Sequence, residues 1–123
     1  MMVLDASALL AFLQAEAGAD VVETALNADS RCGAANWSEV AQKVLAAGRD
    51  WELVRALLAS YDIRIEPVVV DDAEWAARRW KRGEGLSLAD RLCLALAERF
   101  ECDVLTADSS WGSAGRVKQI RVI

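Results

Sequence analysis

Short apolar runs alternate with longer amphipathic stretches along the chain, and this alternation limits the possible folds more than any other feature. Residues 3–4 and 103–106 have the length of buried strands, whereas the segments between such runs repeat apolar residues at helix spacing. Strands separated by helices pair in parallel through right-handed crossovers, which place helices on both faces of the sheet. We therefore predict an α/β fold, a three-layer α/β/α sandwich with a parallel sheet of about five short strands.

The same patterns place the individual elements along the chain. We predict strands at residues 2–4, 32–35, 63–66, 103–106 and 117–122. We predict a first helix that ends near Gly18, a second at residues 19–28, a third that ends at Gly48 and a fourth at residues 51–58. A fifth runs from a cap at Asp71 or Asp72 to about Arg82, and a sixth covers residues 88–96.

Four acidic residues stand where a predicted strand gives way to a helix or in the first turn of a helix: Asp5, Glu39, Asp90 and Asp108. The carboxyl ends of parallel strands meet at one edge of a sheet, so residues distant in sequence can converge there. The chain has no histidine. An all-oxygen cluster of this kind suits a hard divalent cation such as Mg²⁺ or Mn²⁺, and not zinc or copper.

Each acid also has an ordinary structural explanation. Asp5 can N-cap a helix, and Asp108 can end a strand through an Asx turn. Glu39 and Asp90 each stand three residues after a possible cap, Asn36 in the first case, which is the spacing of a capping box. Acids that merely cap helices should fall at both edges of the sheet, whereas these four map to one edge. The joint pattern therefore favours a shared site.

Electrostatics indicates why such a cluster would be functional. Two carboxylates ~4 Å apart repel each other by about 4 kcal/mol at an effective dielectric constant near 20. A cation must neutralise them, or one of them must retain a proton with a raised pKa. Either state prepares a site for metal-assisted chemistry.

Length and composition indicate one domain over residues 1–123, since the chain is 54% hydrophobic. Three cysteines cannot all pair within the chain, which indicates a reducing compartment. No basic leader precedes Asp5, and no apolar run approaches the ~20 residues of a membrane span. We expect a cytoplasmic protein without membrane association. The net charge of −5 argues weakly against general nucleic-acid binding, but the balance is close to neutral once four acids are set aside as metal ligands.

Four segments around the acids resemble the PIN-domain nucleases, and more closely the VapC-type toxins of bacterial type II toxin–antitoxin pairs. They follow the family's order and together cover nearly the whole chain, and the segment around Asp90 is the most specific. The segments are VLDASALL at residues 3–10, WSEV at 37–40, GLSLADRLCLALA at 85–97 and LTADSSW at 105–111.

The resemblance implies a PIN-like fold in which Asp5, Glu39, Asp90 and Asp108 are catalytic and gather one or two Mg²⁺ or Mn²⁺ ions. It implies an endoribonuclease that hydrolyses RNA phosphodiester bonds with metal-activated water and acts as a toxin. Glu39 could bind the metal through water or orient the nucleophile. The resemblance also implies a cognate antitoxin protein that masks the site, and a homodimer.

Two hydroxyl residues, Ser7 and Thr106, match the family's polar supports beside the first and last acids. Their hydroxyls could equally satisfy local backbone groups. Ser110 stands where some relatives carry a further acid, so the number of metal ions stays open. Trp111 matches a family aromatic for which packing is the favoured role.

A basic segment, residues 75–82, combines four cations with two tryptophans and no acid. It could grip phosphate and stack an unpaired base. Alternatively it is a helix with an exposed basic face and buried indoles. Arg91 could contact substrate phosphate or pair with a neighbouring acid. The candidate substrate-binding residues are Arg78, Arg79, Lys81, Arg82 and Arg91.

Two other classes of protein could use a similar scaffold. A receiver-like signalling module also binds Mg²⁺ through acids, but it needs an Asp after its central strand and a Lys after its last. Here the third strand ends in Glu66-Pro67, and Lys118 lies within the last predicted strand. The second alternative is an inactive PIN-like binding module, which the presence of all four acids disfavours.

Overall fold

The computed structural model describes residues 1–121 and confirms the predicted α/β class. Five parallel strands form one sheet in the order β3-β2-β1-β4-β5. The strands are β1 (Met2–Leu4), β2 (Ser30–Gly33), β3 (Arg64–Glu66), β4 (Asp103–Thr106) and β5 (Val117–Gln119). The helices are α1 (Ala6–Leu13), α2 (Ala19–Leu26), α3 (Ala34–Ala46), α4 (Trp51–Ala59), α5 (Val70–Arg79) and α6 (Leu88–Arg99), with a 3₁₀ turn at Ser109–Trp111.

Alternation along the central strands divides the core into two layers, one on each face of the sheet. Leu4 and Leu105 pack with residues of α1 to α4, whereas Val3 and Val104 pack with residues of α6. All four side chains are at most 3% exposed. The three-layer arrangement therefore follows from strands that are buried on both faces.

Several predicted boundaries are wrong by a few residues. The second strand is Ser30–Gly33, because the chain turns at Gly33 and α3 already begins at Ala34. Helix α5 is capped at Val69 and ends at Arg79. The last strand ends at Gln119, and its predicted end at Val122 lies outside the described residues. Among residues 1–121, no helix is long and apolar enough to cross a membrane.

A glycine at the start of α2 is expected to be indispensable for packing. Gly18 has φ +91°, and a Cβ there would lie 2.7 Å from the backbone oxygen of Ile120. We expect Gly18→Ala to lower the free energy of unfolding by more than the roughly 1–2 kcal/mol of left-handed strain alone. The matched control is Gly48→Ala, since Gly48 has φ +71° but open space around it. Equal losses for both variants in urea denaturation would contradict this expectation.

Candidate functional site

Asp5 lies directly after β1 and is only 4% exposed. Its backbone N–H donates to the carbonyl of Leu105 on β4 at 3.1 Å, which fixes the end of β1 against the neighbouring strand. Its Oδ1 accepts from the N–H of Ala8 at 2.8 Å, so Asp5 is the N-cap of α1. The cap is confirmed, and it accounts for only one of the carboxylate's contacts.

Two hydroxyl groups, Ser7 and Thr106, hold the same carboxylate, which is the arrangement that the family resemblance implies. Ser7 Oγ lies 2.8 and 2.9 Å from the two oxygens of Asp5, and Thr106 Oγ1 donates to its Oδ2 at 2.6 Å. Each hydroxyl accepts a backbone N–H, from Ala107 and Asp108 respectively. Accepting an N–H uses a lone pair, so the single proton of each hydroxyl remains available to donate to Asp5. The backbone after β4 thus orients both supports.

The pKa of the Asp5 carboxyl is raised to about 6 from its ordinary value of 3.8. Burial is the largest cause, because it disfavours the charged form. Hydrogen bonds from Thr106, Ala8 and Ser7 lower the pKa, and the negative charge of Asp90 raises it further. Asp5 and Asp90 are therefore close enough to interact, although 85 positions separate them.

Removal of the Thr106 hydroxyl is expected to raise the pKa of Asp5 above about 6. Thr106 is fully buried, so Thr106→Val keeps the shape of the side chain while removing the donor to Oδ2. The shift is measured by following the Asp5 carboxyl carbon by NMR from pH 4 to pH 9. Thr106→Ser retains the hydroxyl and serves as the control. An unchanged pKa in the valine variant would show that the hydroxyl does not stabilise the charged carboxylate.

Asp90 lies in the first turn of α6 and closes the capping box that its spacing predicts. Its N–H donates to the Ser87 hydroxyl at 3.1 Å, and its Oδ2 accepts from the Ser87 N–H at 3.0 Å. The box fixes one oxygen at the helix start, where the helix dipole favours a negative charge. The Asp90 carboxylate therefore caps α6 and also contributes a negative charge that raises the pKa of Asp5.

Glu39 does not close a capping box, which corrects that alternative. Helix α3 begins at Ala34 with Gly33 as its N-cap, so Asn36 lies inside the helix. The Nδ2 group of Asn36 instead donates to Oε1 of Glu39 at 3.2 Å and to the carbonyl of Ala89 at 3.2 Å. The sequence spacing gave no signal for the second contact, since its partner is 53 positions away.

A buried thiol shows that three of the acids share one region. Burial is the largest cause of the raised pKa of the Cys93 thiol, and the negative charges of Asp5, Asp90 and Glu39 raise it further. Cys93 is 1% exposed and lies on α6. Together with the Asn36 contacts to Glu39 and to the carbonyl before Asp90, this places the acid that follows β1 and the acids on α3 and α6 in the same part of the molecule.

Asp108 is oriented differently from the other three acids. It is exposed, and its Oδ1 accepts from the N–H and the hydroxyl of Ser110 at 2.9 and 2.7 Å, which confirms the predicted Asx-type turn. Its backbone N–H joins the Asp5 network through Thr106. The main chain of Asp108 therefore contacts the hydrogen-bond network around Asp5, whereas its carboxylate is hydrogen-bonded to Ser110 within its own turn.

The acid set fits a hard divalent cation by its chemistry, since every candidate ligand is a carboxylate oxygen. Within residues 1–121, no three acidic or sulfur ligands are preformed around a common point. Both oxygens of Asp5 accept hydrogen bonds, whereas Asp90 accepts through Oδ2 and Glu39 through Oε1. The fold thus gathers the acids into one region without closing them into a finished coordination shell.

The basic segment differs from the interpretation as a helix with an exposed basic face and buried indoles. Helix α5 ends at Arg79, whose guanidinium binds Glu84 at 2.6 and 3.0 Å. Trp80 is 52% exposed, so the expectation of buried indoles is wrong for this residue. Arg91 forms no ion pair with an acid among residues 1–121; its Nη1 donates to the carbonyl of Ala76 at 2.7 Å, which ties α6 to α5. The exposed cations of the candidate set are Arg78, Lys81 and Arg82.

Comparison with known proteins supplies the family. The family model described as the PIN domain matches residues 2–117. The chain belongs to the PIN domain family. Its relatives include a protein named VapC ribonuclease Mb2780c from Mycobacterium bovis and one named Ribonuclease VapC42 from Mycobacterium tuberculosis. Each is 35% identical over 108 residues, which cover 79% of this chain and 82% of the relative.

Solved structures support the PIN-domain fold independently. A chain of a toxin–antitoxin complex from Klebsiella pneumoniae has a TM-score of 0.82 at 18% identity, with both chains covered completely. The Mycobacterium tuberculosis VapC20 toxin, described as cleaving the sarcin–ricin loop, has a TM-score of 0.74 at 16% identity, with 95% of this chain and 97% of that one covered. At these identities the likeness concerns the fold alone.

Proposed function

We propose that this PIN-domain chain is an Mg²⁺- or Mn²⁺-dependent endoribonuclease and the toxin of a toxin–antitoxin pair. The observation that carries the proposal is the Asp5 carboxylate, which is buried at the end of β1 and accepts hydrogen bonds from two hydroxyls, with Asp90 among the charges that raise its pKa. A fold that holds one acid charge out of water beside another stores repulsion that a cation would relieve. The named ribonucleases at 35% identity support the choice of RNA as the substrate.

Each acid would have a distinct task in phosphodiester hydrolysis. Asp5 and Asp90 would hold the cation, Asp108 would join them once its carboxylate turns away from Ser110, and Glu39 would bind the cation through water or orient the attacking water. When bound, the cation would supply an acidified water and neutralise charge on the scissile phosphate and the leaving oxygen. Because the chain has no histidine, protons must pass to carboxylates or to water.

Substrate contacts would come from the exposed part of the basic segment. Arg78, Lys81 and Arg82 are exposed, and Arg82 lies 5.8 Å from the ring centre of Trp80. These groups could bind phosphate and stack a base of single-stranded RNA. Arg79 and Arg91 already have partners within the chain and would contribute through structure.

Partners of the protein are proposed on the same basis. A chain from a toxin–antitoxin complex shares the fold, and relatives carry the VapC name, which supports an antitoxin that covers the acidic site. We also propose a homodimer, with residues 1–123 as its single-domain subunit.

A cleavage assay with purified protein tests the proposed activity. We expect unstructured and hairpin RNAs to be cut internally in Mg²⁺ or Mn²⁺ buffer, with no cleavage by Asp90→Asn and full cleavage by Asp20→Asn. Asp20 is an exposed acid at the start of α2 and serves as the matched control. Uptake of phosphate from a small phosphodonor without RNA cleavage would instead support a receiver. The absence of both reactions would support an inactive binding module.

A further inference from the structure

The side chain of Asn36 lies between two of the acid-bearing helices and has no role in the scheme above. It is the third residue of α3 and is 2% exposed. A primary amide carries two N–H donors, so both of the contacts that Nδ2 makes can form at once. One goes to Oε1 of Glu39, and the other goes to the carbonyl of Ala89, the residue before Asp90. Asn36 thus connects an acid on α3 with the helical turn that carries an acid on α6.

An amide at this position carries a cost as well as a gain. No described residue donates to the buried Oδ1 of Asn36. A buried carbonyl without a donor is unfavourable, and an apolar side chain of similar size would avoid that cost. The two donations are therefore the specific gain that asparagine provides here.

The contact with Glu39 constrains a carboxylate that would otherwise rotate freely. Glu39 is only partly buried, and Asn36 occupies Oε1 while Oε2 has no hydrogen bond within residues 1–121. A donor held in the core can fix the orientation of a carboxylate and leave its other oxygen for a ligand. The anchor on Ala89 sets this orientation relative to α6 and not only relative to α3.

We propose that Asn36 is a positioning residue that orients Glu39 relative to Asp90 for cation binding and water activation. This inference rests on the proposed nuclease function. Asn36 acts through Glu39 and does not itself contact the reacting atoms. Its effect should therefore disappear when Glu39 can no longer act as a carboxylate.

The first test replaces the amide by an apolar side chain of similar volume. We expect Asn36→Leu to lower the rate constant of RNA cleavage by about 10- to 100-fold and to weaken Mn²⁺ binding measured by calorimetry. The KM for RNA should stay close to the wild-type value, and urea denaturation should show that both Asn36 variants remain folded under the assay conditions. Asn36→Ala, which removes the donors without adding bulk, should give the same loss of rate. Wild-type cleavage and Mn²⁺ affinity in either folded variant would overturn the proposal.

A double-mutant cycle separates positioning from general damage. In a Glu39→Gln background, Asn36→Leu should change the cleavage rate by less than about threefold, because coupled residues are not additive. Retention of the full single-variant loss in that background would show that Asn36 acts on the fold, not through Glu39. If wild-type protein neither cleaves RNA nor binds Mn²⁺, the proposed function fails. If wild-type protein does both and only the cycle shows additivity, the positioning role alone fails.

Discussion

Asp5→Asn is expected to abolish RNA cleavage while making the metal-free protein more stable at neutral pH. Loss of a ligand and its charge should lower the cleavage rate by at least roughly 100-fold, since metal assistance is worth several kcal/mol at the transition state. Asparagine can still accept the N–H of Ala8, so the helix cap should survive. Activity and stability should thus change in opposite directions.

The sign of the stability change follows from the raised pKa of Asp5. Its folded pKa is about 6 and its ordinary value is 3.8, so between these pH values the folded protein binds the proton more tightly than the unfolded chain does. The wild-type protein therefore loses stability as pH rises from about 4 to about 6, by up to roughly 3 kcal/mol from this group. Asparagine stays neutral and avoids the loss.

Urea denaturation at several pH values measures the effect directly. We expect Asp5→Asn to exceed the wild-type free energy of unfolding at pH 7.5 in EDTA and to match it near pH 4. Asp20→Asn, at an exposed position, should change neither stability nor cleavage. A variant that is less stable than wild type at pH 7.5 would show that the ionised carboxylate stabilises the fold.

Removal of divalent cations is expected to stop cleavage and to lower the stability of the wild-type protein. A cation that binds only the folded chain stabilises it by about 2.7 kcal/mol at 100 times its dissociation constant. Part of this gain should come from Asp5 and Asp90, whose charges repel in the metal-free protein. Thermal melts and cleavage assays with EDTA, followed by addition of Mg²⁺ or Mn²⁺, measure both effects.

The same variants supply the controls for the cation effect. Mn²⁺ should raise the melting temperature of wild type and of Asp20→Asn but not that of Asp5→Asn or Asp90→Asn. Full cleavage activity in excess EDTA would contradict a metal-dependent reaction. An equal thermal shift in all four proteins would place the bound cation away from these acids.

The parts of the fold that rest on periodicity could be predicted from sequence. Strand and helix alternation gave the parallel sheet, and the parallel sheet placed Asp5 beside Thr106 although 101 positions separate them. The boundary after β2 could not be predicted, because the small residues 33–35 fit a buried strand as well as a helix start. Local sequence preferences do not distinguish these two conformations, so tertiary packing determines where β2 ends and α3 begins.

Long polar side chains were harder to place than backbone elements. In sequence Arg79 belongs to a run of cations, and Arg91 could contact phosphate or pair with a neighbouring acid. Tertiary structure instead gives them Glu84 and the carbonyl of Ala76 as partners. The amide of Asn36 likewise meets a backbone group that no local pattern indicates. Such contacts depend on how helices pack, and hydrophobic periodicity contains no information about them.

A crystal structure with bound Mn²⁺ tests the central claim most directly, because anomalous scattering identifies the ion. We predict an anomalous peak within about 2.5 Å of carboxylate oxygens of both Asp5 and Asp90. Glu39 should orient toward it while keeping its contact with Asn36. A Mn²⁺ ion bound elsewhere, with Asp5 and Asp90 free of metal at a concentration that supports full cleavage, would contradict the account.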